Sequence, residues 1–276
     1  MENNEIVCPK CGSKSYVMEK CINGYIQCSD CGFKARANEY NGYKDLSRKI
    51  LFVDEYDPDK VICEYKDYIA VNGGDGSLLK AINKYRHLNK PFFGIAGGTV
   101  NFLMNKSDKI SEKAKYKSFN LIKVRVTYKS PDKLGNIIDN TDEFQAFNEI
   151  FISEENGWID FNCHDQDYIL GKFKGSGLIV STPQGSTGLN KNNNGVILPL
   201  SSKDWTITGD KTNRKINYVL AQKPMSVTVK SRGKVNLFLD GHNKKIKNIT
   251  KVEIMKGDKV TIIFNNYKDF KQKRTI

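Results

Sequence analysis

Between residues 67 and 95 the chain runs DYIAV, NGGDG, SLLKAINKY and PFFGI, and few folds can accept that order. The first and last are short apolar runs beside turn residues and read as buried strands; KILFVDE at 49–55 reads the same way. In SLLKAINKY the apolar residues recur at helical spacing. Strand, glycine turn, helix, strand predicts a small parallel α/β unit, because parallel strands need a crossover connection. From about residue 119 the character changes. NLIKVRVTYK, EFQAFNEIFIS, QDYILGKFKG, GLIVST, MSVTVKS, KVNLFLDG and KVTIIF are alternating or short apolar runs split by Gly, Asn and Asp, which predicts a β-rich second domain. Residues 185–215 are polar and Asn-rich and read as including loops.

The first 38 residues are rich in Cys, Gly and Lys, with little to bury, and need a staple. Cys8-x-x-Cys11 and Cys28-x-x-Cys31 supply one: each knuckle offers two thiolates, and two knuckles complete a tetrahedral zinc site. Gly12 and Gly32 follow each pair, and Cys21 between them is a spare candidate. Seven cysteines, four of them so paired, point to metal in a reducing compartment rather than a disulfide framework. The first residues carry no secretory pattern, and no long apolar run suits a membrane span, so the expected setting is cytoplasmic.

The net charge of +13 calls for an anionic partner or for solubility. Lysines are scattered until KDFKQKR near the C-terminus, which fits small phosphorylated ligands better than a nucleic-acid groove. Nucleic acid bound through the ribbon is the less favoured partner. Asp75 sits in a Gly73-Gly74-Asp75-Gly76 turn between strand and helix. Glycines let backbone approach a ligand closely, and amides at a helix start suit phosphate oxygens. A carboxylate there would take a proton from a hydroxyl or help hold Mg²⁺; as a plain structural residue it would cap the helix. Asn148-Glu149 lies inside an apolar strand pattern, and a bulge or strand end is required for both to serve one ligand. GSGLIVSTPQGSTG at 175–188 offers amides and hydroxyls; Asp240-Gly241-His242 alone reads as a hairpin turn.

Taken in order, these pieces resemble the NAD kinase family over roughly residues 49–276. GGDG looks like its phosphate-binding motif, NEIFI like its Asn-Glu motif, and GSGLIVSTPQGSTGLN like its long G-D-G-x-x-x-S-T-P-x-G-S-T-A-Y-N motif. FGIAGGTVNFLMN at 93–105 is similar to its G-x-N-x-G-x-x-G-F-L segment; VILPL and DGH follow in place. The resemblance implies an α/β N-terminal domain and a β-rich C-terminal domain, preceded here by the ribbon. The expected boundaries are 1–38 for the zinc ribbon, 39–118 for the phosphate-binding domain and 119–255 for the dinucleotide-binding domain, with 256–276 a candidate to pack back on the second. It also implies transfer of the γ-phosphoryl of ATP, or of polyphosphate, to the adenosine 2′-hydroxyl of NAD. A divalent ion such as Mg²⁺ would accompany ATP, zinc would be structural, and a homo-oligomer (dimer or tetramer) is expected. Asp75 matches the catalytic aspartate. Gly73, Gly74, Gly76, Phe102, Asn148, Glu149, Lys174, Ser176, Thr182, Gln184, Thr187, Gly188, Asn190, Asp240 and His242 fall at substrate-binding positions.

Departures bear on the substrate. Ser176 stands where the motif has Asp, Gly188-Leu189 replace Ala-Tyr, and Ala96-Gly97 and Asn101 differ in the earlier glycine segment. The competing readings are a kinase of the same fold acting on another hydroxyl, and a non-catalytic NAD(P)- or nucleic-acid-binding protein.

Overall fold

The computed structural model describes residues 8, 10–11, 13–14, 16–19, 25–31, 34–36, 48–54, 56–57, 60–154, 157–165, 169–231, 233–241 and 244–267. The chain divides into two compact units, Met1–Lys117 with Thr261–Phe270, and Ser118–Val260 with Lys271–Ile276.

The first unit begins with three short strands, β1 (Tyr16–Glu19), β2 (Tyr25–Cys28) and β3 (Lys34–Arg36), paired antiparallel in that order. β4 (Arg48–Val53), β5 (Val61–Tyr65) and β6 (Ile69–Gly73) then form an antiparallel run. The helix α1 (Asp75–Tyr85) carries the chain across to β7 (Phe92–Ala96), which pairs parallel with β6. The parallel unit read from the sequence is therefore present, but β5 makes its sheet mixed. VICEY escaped notice because it runs straight into DYIAV; the Tyr65 amide bonds to the Tyr68 carbonyl and folds the two into a hairpin. α1 buries Leu78, Ala81, Ile82 and Tyr85, one stripe at helical spacing. Leu78 and Ile82 each contribute about 1.5–3 kcal/mol of apolar burial. The Tyr85 hydroxyl donates to the Leu51 carbonyl at 3.0 Å and ties the helix to β4.

The second unit is all β apart from one helical turn. Its strands are β8 (Lys115–Pro131, entered from the first unit), β9 (Ile137–Ala146), β10 (Glu149–Glu154), β11 (Ile159–Asp165), β12 (Ile169–Gly175) and β13 (Gly177–Ser181). After the turn α2 (Leu189–Asn192) come β14 (Asp204–Asp210), β15 (Asn217–Ala221), β16 (Met225–Lys230), β17 (Val235–Leu239), β18 (Lys244–Ile246) and β19 (Ile249–Phe264). One antiparallel sheet has the order β15-β14-β13-β10-β17-β18; β12, β11, β16 and β19 pair antiparallel in a second. A shared core lies between them, with Ile150, Val180, Trp205 and Leu237 from the first sheet and Phe161, Val227 and Val252 from the second, all fully or almost fully buried. In β8, Ile122, Val124 and Val126 face this core while Lys123 and Arg125 pair with Glu143 on β9, the alternation expected of a half-buried strand. β14 falls in the segment read as including loops. Sheet neighbours flank it on both sides, and Trp205 through Thr208 are all buried; its apolar–polar alternation, Trp-Thr-Ile-Thr, is short and set among polar residues.

Candidate active site

In the first unit, parallel pairing sets Gly73 opposite Ala96, so the turns leaving β6 and β7 lie side by side at the strands' carboxyl ends, where ligands of open α/β sheets bind. The Gly97 amide donates to the Gly73 carbonyl at 2.7 Å. A Cβ on Gly98 would stand 2.9 Å from the Gly74 Cα, too close for any side chain. The surface formed there is bare backbone.

Asp75 does not cap α1. The N-cap is Gly74, with no side-chain cap bond, and Asp75 is the first helical residue. Its two carboxylate oxygens instead accept the main-chain amides of Phe102 and Leu103, each at 2.8 Å. The capping alternative is replaced by a clamp between the two glycine segments. Each oxygen keeps a further lone pair for a ligand. Phe102 thus contributes its amide to this clamp. Asn101 has φ of 55°, a left-handed conformation that Asn tolerates, and its side chain bonds back to Gly98. Asn101, where the family motif has glycine, thus takes a left-handed conformation that glycine also adopts readily. Gly76 is exposed at the start of the helix.

In the second unit the cluster centres on residues 147–149. β10 starts at Glu149 with Asn148 in the bend before it, the strand end that this pair requires. Asp240 (φ 49°) is buried and accepts the amides of Phe147 at 3.0 Å and Asn148 at 2.6 Å, with Glu149 more distant at 3.4 Å. From the other side, Thr182 Oγ1 lies 2.8 Å from the Phe147 carbonyl and 2.9 Å from that of Asn148, and Gln184 Nε2 donates to the Phe147 carbonyl at 2.7 Å. A Cβ on Gly185 would sit 2.2 Å from the Asn148 carbonyl oxygen. Gly185→Ala is therefore expected to cost roughly 1–3 kcal/mol by overpacking, read as a lower melting temperature, together with weaker nucleotide binding; an unchanged melting temperature would contradict the contact.

The bend so held presents two buried acceptors without a partner among the described residues, Asn148 Oδ1 and Glu149 Oε2. Burial, with the nearby Asp240 charge second, pushes the Glu149 carboxyl up to about 8 against a pull downward from the Gly241 amide. An orphaned buried polar pair is costly, and a ligand hydroxyl or amide would relieve it.

The remaining expected site residues separate into three groups. Thr187 and Gly188 lie on the loop beside Glu149, and a Cβ on Gly188 would come within 3.6 Å of Glu149 Oε2, so glycine leaves that side open. Asn190 is fully buried and its amide is consumed: Nδ2 donates to Ser186 and Val196 carbonyls, and Oδ1 accepts the Thr206 and Thr208 hydroxyls. The side-chain amide of Asn190 thus holds the loop to β14. Lys174 and Ser176 lie at the opposite end of β13, because Glu149 pairs with Ser181 and Ser153 with Gly177, about 13 Å along the strand. Ser176 donates to Asp210 at 2.8 Å, and Lys174 pairs with Asp160 at 3.4 Å. Asp210 was not foreseen; it follows Ser176 by 34 positions and no local motif marks it. His242 lies outside the described residues.

At the N-terminus the sulfurs of Cys8, Cys11, Cys28 and Cys31 all lie within 4.8 Å of one another. Cys8–Cys31 and Cys11–Cys28 are 3.8 and 3.6 Å apart. The main-chain amide of Cys31 foremost holds the Cys28 thiol down, at about 7. Cys21, Gly12 and Gly32 lie outside the described residues. No helix among the described residues is long and apolar enough to cross a membrane.

No family model matches the chain. Among curated proteins it is 32% identical to the NAD kinase of Mycoplasmoides gallisepticum over 162 residues (56% of this chain, 52% of the relative). It is 30% identical to that of Fusobacterium nucleatum over 177 residues (60% and 62%). With the NAD kinase of Rickettsia typhi the match is 28% over 240 residues, 81% of this chain and 90% of the relative. The chain thus spans about half the length of the first of these relatives and three-fifths of the second. Among solved structures, an Archaeoglobus fulgidus NAD kinase in complex with ATP superposes with a TM-score of 0.59 at 20% identity, covering 75% of this chain and 80% of the other. Yeast NADH kinase complexed with NADH gives 0.61 at 17%, covering 74% and 64%. The fold is that of these NAD kinase structures, and the curated proteins the chain matches are NAD kinases.

Proposed function

We propose that this chain is an NAD kinase, moving the γ-phosphoryl of ATP to the adenosine 2′-hydroxyl of NAD. The observation that carries the reading is the buried, unpartnered pair Asn148 Oδ1 and Glu149 Oε2, held on a bend by Asp240, Thr182 and Gln184. An amide acceptor beside a carboxyl that accepts when ionised and can also donate when protonated suits the hydroxyl and amino groups of a nucleoside. Asp75 is assigned to orient or deprotonate the accepting hydroxyl, and the bare turns at Gly73–Gly74 and Gly97–Gly98 to take phosphates on backbone. Only the four cysteines form a group of three or more metal-binding side chains among the described residues, so a divalent ion would arrive on the phosphates of ATP. Lys174 and Ser176, remote from the Asn148 bend along β13, would meet a dinucleotide only from a partner subunit of a homo-oligomer. Incubating the protein with ATP, Mg²⁺ and either NAD or NADH, and measuring NADP or NADPH, tests the proposal. Nucleotide binding without turnover would favour a non-catalytic protein.

The cysteine cluster is proposed as a structural zinc site. A tetrahedron with Zn–S bonds of about 2.3 Å has edges of about 3.8 Å, close to the spacing of the two sulfur pairs. About one equivalent of zinc is expected by elemental analysis, with Cys8→Ser or Cys28→Ser lowering it sharply; metal-free protein purified without chelators would refute the site.

A further inference from the structure

On the second unit, away from the core, the strands β12, β11 and β16 line up two rows of outward side chains. Register sets Lys174, Asp160 and Lys230 across one row, and Lys172, Asn162 and Thr228 across the next. The residues between them, Phe161, Phe173 and Val229, turn inward and are buried. These rows, with Asn213, wall a cavity of about 410 Å³, within the roughly 300–1,000 Å³ common for small-molecule sites.

Three ammonium groups share this cavity with one carboxylate. Asp160 pairs with Lys174 at 3.4 Å, while Lys172 and Lys230 have no ion-pair partner among the described residues. Cations gathered in a concave site repel one another and focus a positive potential that an anion relieves. Lysine meets phosphate as a point charge, without needing a planar fork. At the cavity wall Asn162 Oδ1 is buried and has no hydrogen-bond partner among the described residues. It is an acceptor, so it asks the ligand for a donor rather than another anionic oxygen.

We infer that this cavity binds a small phosphate ester carrying a free hydroxyl, of the sugar-phosphate or mononucleotide class, with Lys172 and Lys230 on the phosphate and Asn162 on the hydroxyl. The cavity lies wholly in the second unit and uses neither Asp75 nor the Asn148–Glu149 bend; Lys174, given above to a dinucleotide, lines it but pairs with Asp160 and makes none of the contacts inferred here.

The test is calorimetric titration of the full chain with ribose 5-phosphate, and with inorganic phosphate beside it. Saturable binding of ribose 5-phosphate is expected, weakened at least about tenfold in the Lys172→Gln/Lys230→Gln variant by loss of two charged contacts. Asn162→Ala should weaken ribose 5-phosphate and leave inorganic phosphate unchanged. Both lysines are exposed, so melting temperatures should stay at the wild-type value. The inference is overturned if ribose 5-phosphate does not bind saturably, or if its affinity ignores the lysine substitutions. It is equally overturned if Asn162→Ala weakens both ligands alike. Failure of NADP formation would bear on the kinase reading and not on this cavity.

Discussion

Asp75→Asn is expected to lower kcat by about a hundredfold or more, the scale of a positioned acid–base group. The substitution keeps size but removes the charge and one accepting oxygen. Because both oxygens accept amides from Phe102 and Leu103, the change is not silent for the fold. One amide would face an NH₂ group, at a cost of roughly 1–3 kcal/mol for the unsatisfied donor, and the melting temperature should fall accordingly. Nucleotide affinity should hold or rise, since a carboxylate beside phosphates is unfavourable in the ground state. Measuring kcat, affinity and melting temperature on one variant separates the roles. A pure clamp gives a lower melting temperature with near-wild-type kcat, and that result would end the catalytic assignment.

Glu149→Gln should abolish a loss of stability that the wild type shows as pH rises through neutrality. The folded-state value of about 8 lies above the ordinary 4.5, so the folded chain holds a proton that the unfolded chain releases. For a carboxyl raised in this way, stability is greatest below the unfolded value and declines as pH climbs from about 4.5 towards 8. The full span is on the order of 4–5 kcal/mol for a shift this large. Melting curves from pH 5 to 9 should show the wild type losing stability relative to Glu149→Gln, which removes the titration and keeps the shape. Parallel curves for the two proteins would show that Glu149 is ionised and stabilised by a group other than those around it here. The variant should also bind NAD less tightly, because the unpartnered Glu149 carboxyl is replaced by an amide with a fixed donor.

The sequence made the β6–α1–β7 unit legible because its periods change cleanly from strand to helix and back. For Asn148–Glu149 the sequence required a bulge or a strand end, and β10 begins at Glu149. Two things were not legible. β14 alternates only over Trp205-Thr206-Ile207-Thr208, a run too short to stand out from the polar residues around it. More telling is Asn190, chosen because a motif matched, though its amide is used up by Ser186, Val196, Thr206 and Thr208. A motif residue that holds a loop and one that holds a ligand look the same in one dimension; only the tally of hydrogen-bond partners tells them apart. Asp240 shows the converse. Its Asp-Gly turn looked like an ordinary hairpin, yet its carboxylate fixes a bend more than ninety positions earlier in the chain.

β19 has a consequence for how the protein is made. Its residues up to Val260 belong to one compact unit and Thr261–Phe264 to the other. Ile262 pairs with Phe92 on β7, and Asn105 donates to the Ile263 carbonyl 158 positions away. A nascent chain emerging at about 5–20 residues per second therefore exposes the open edge of β7 for many seconds before its neighbour exists. Contacts of such long sequence separation close late and slow folding. Asn105 already bonds to Gly94 and Ala96, so until Ile262 leaves the ribosome it is the Phe92 end of that edge that waits unpaired.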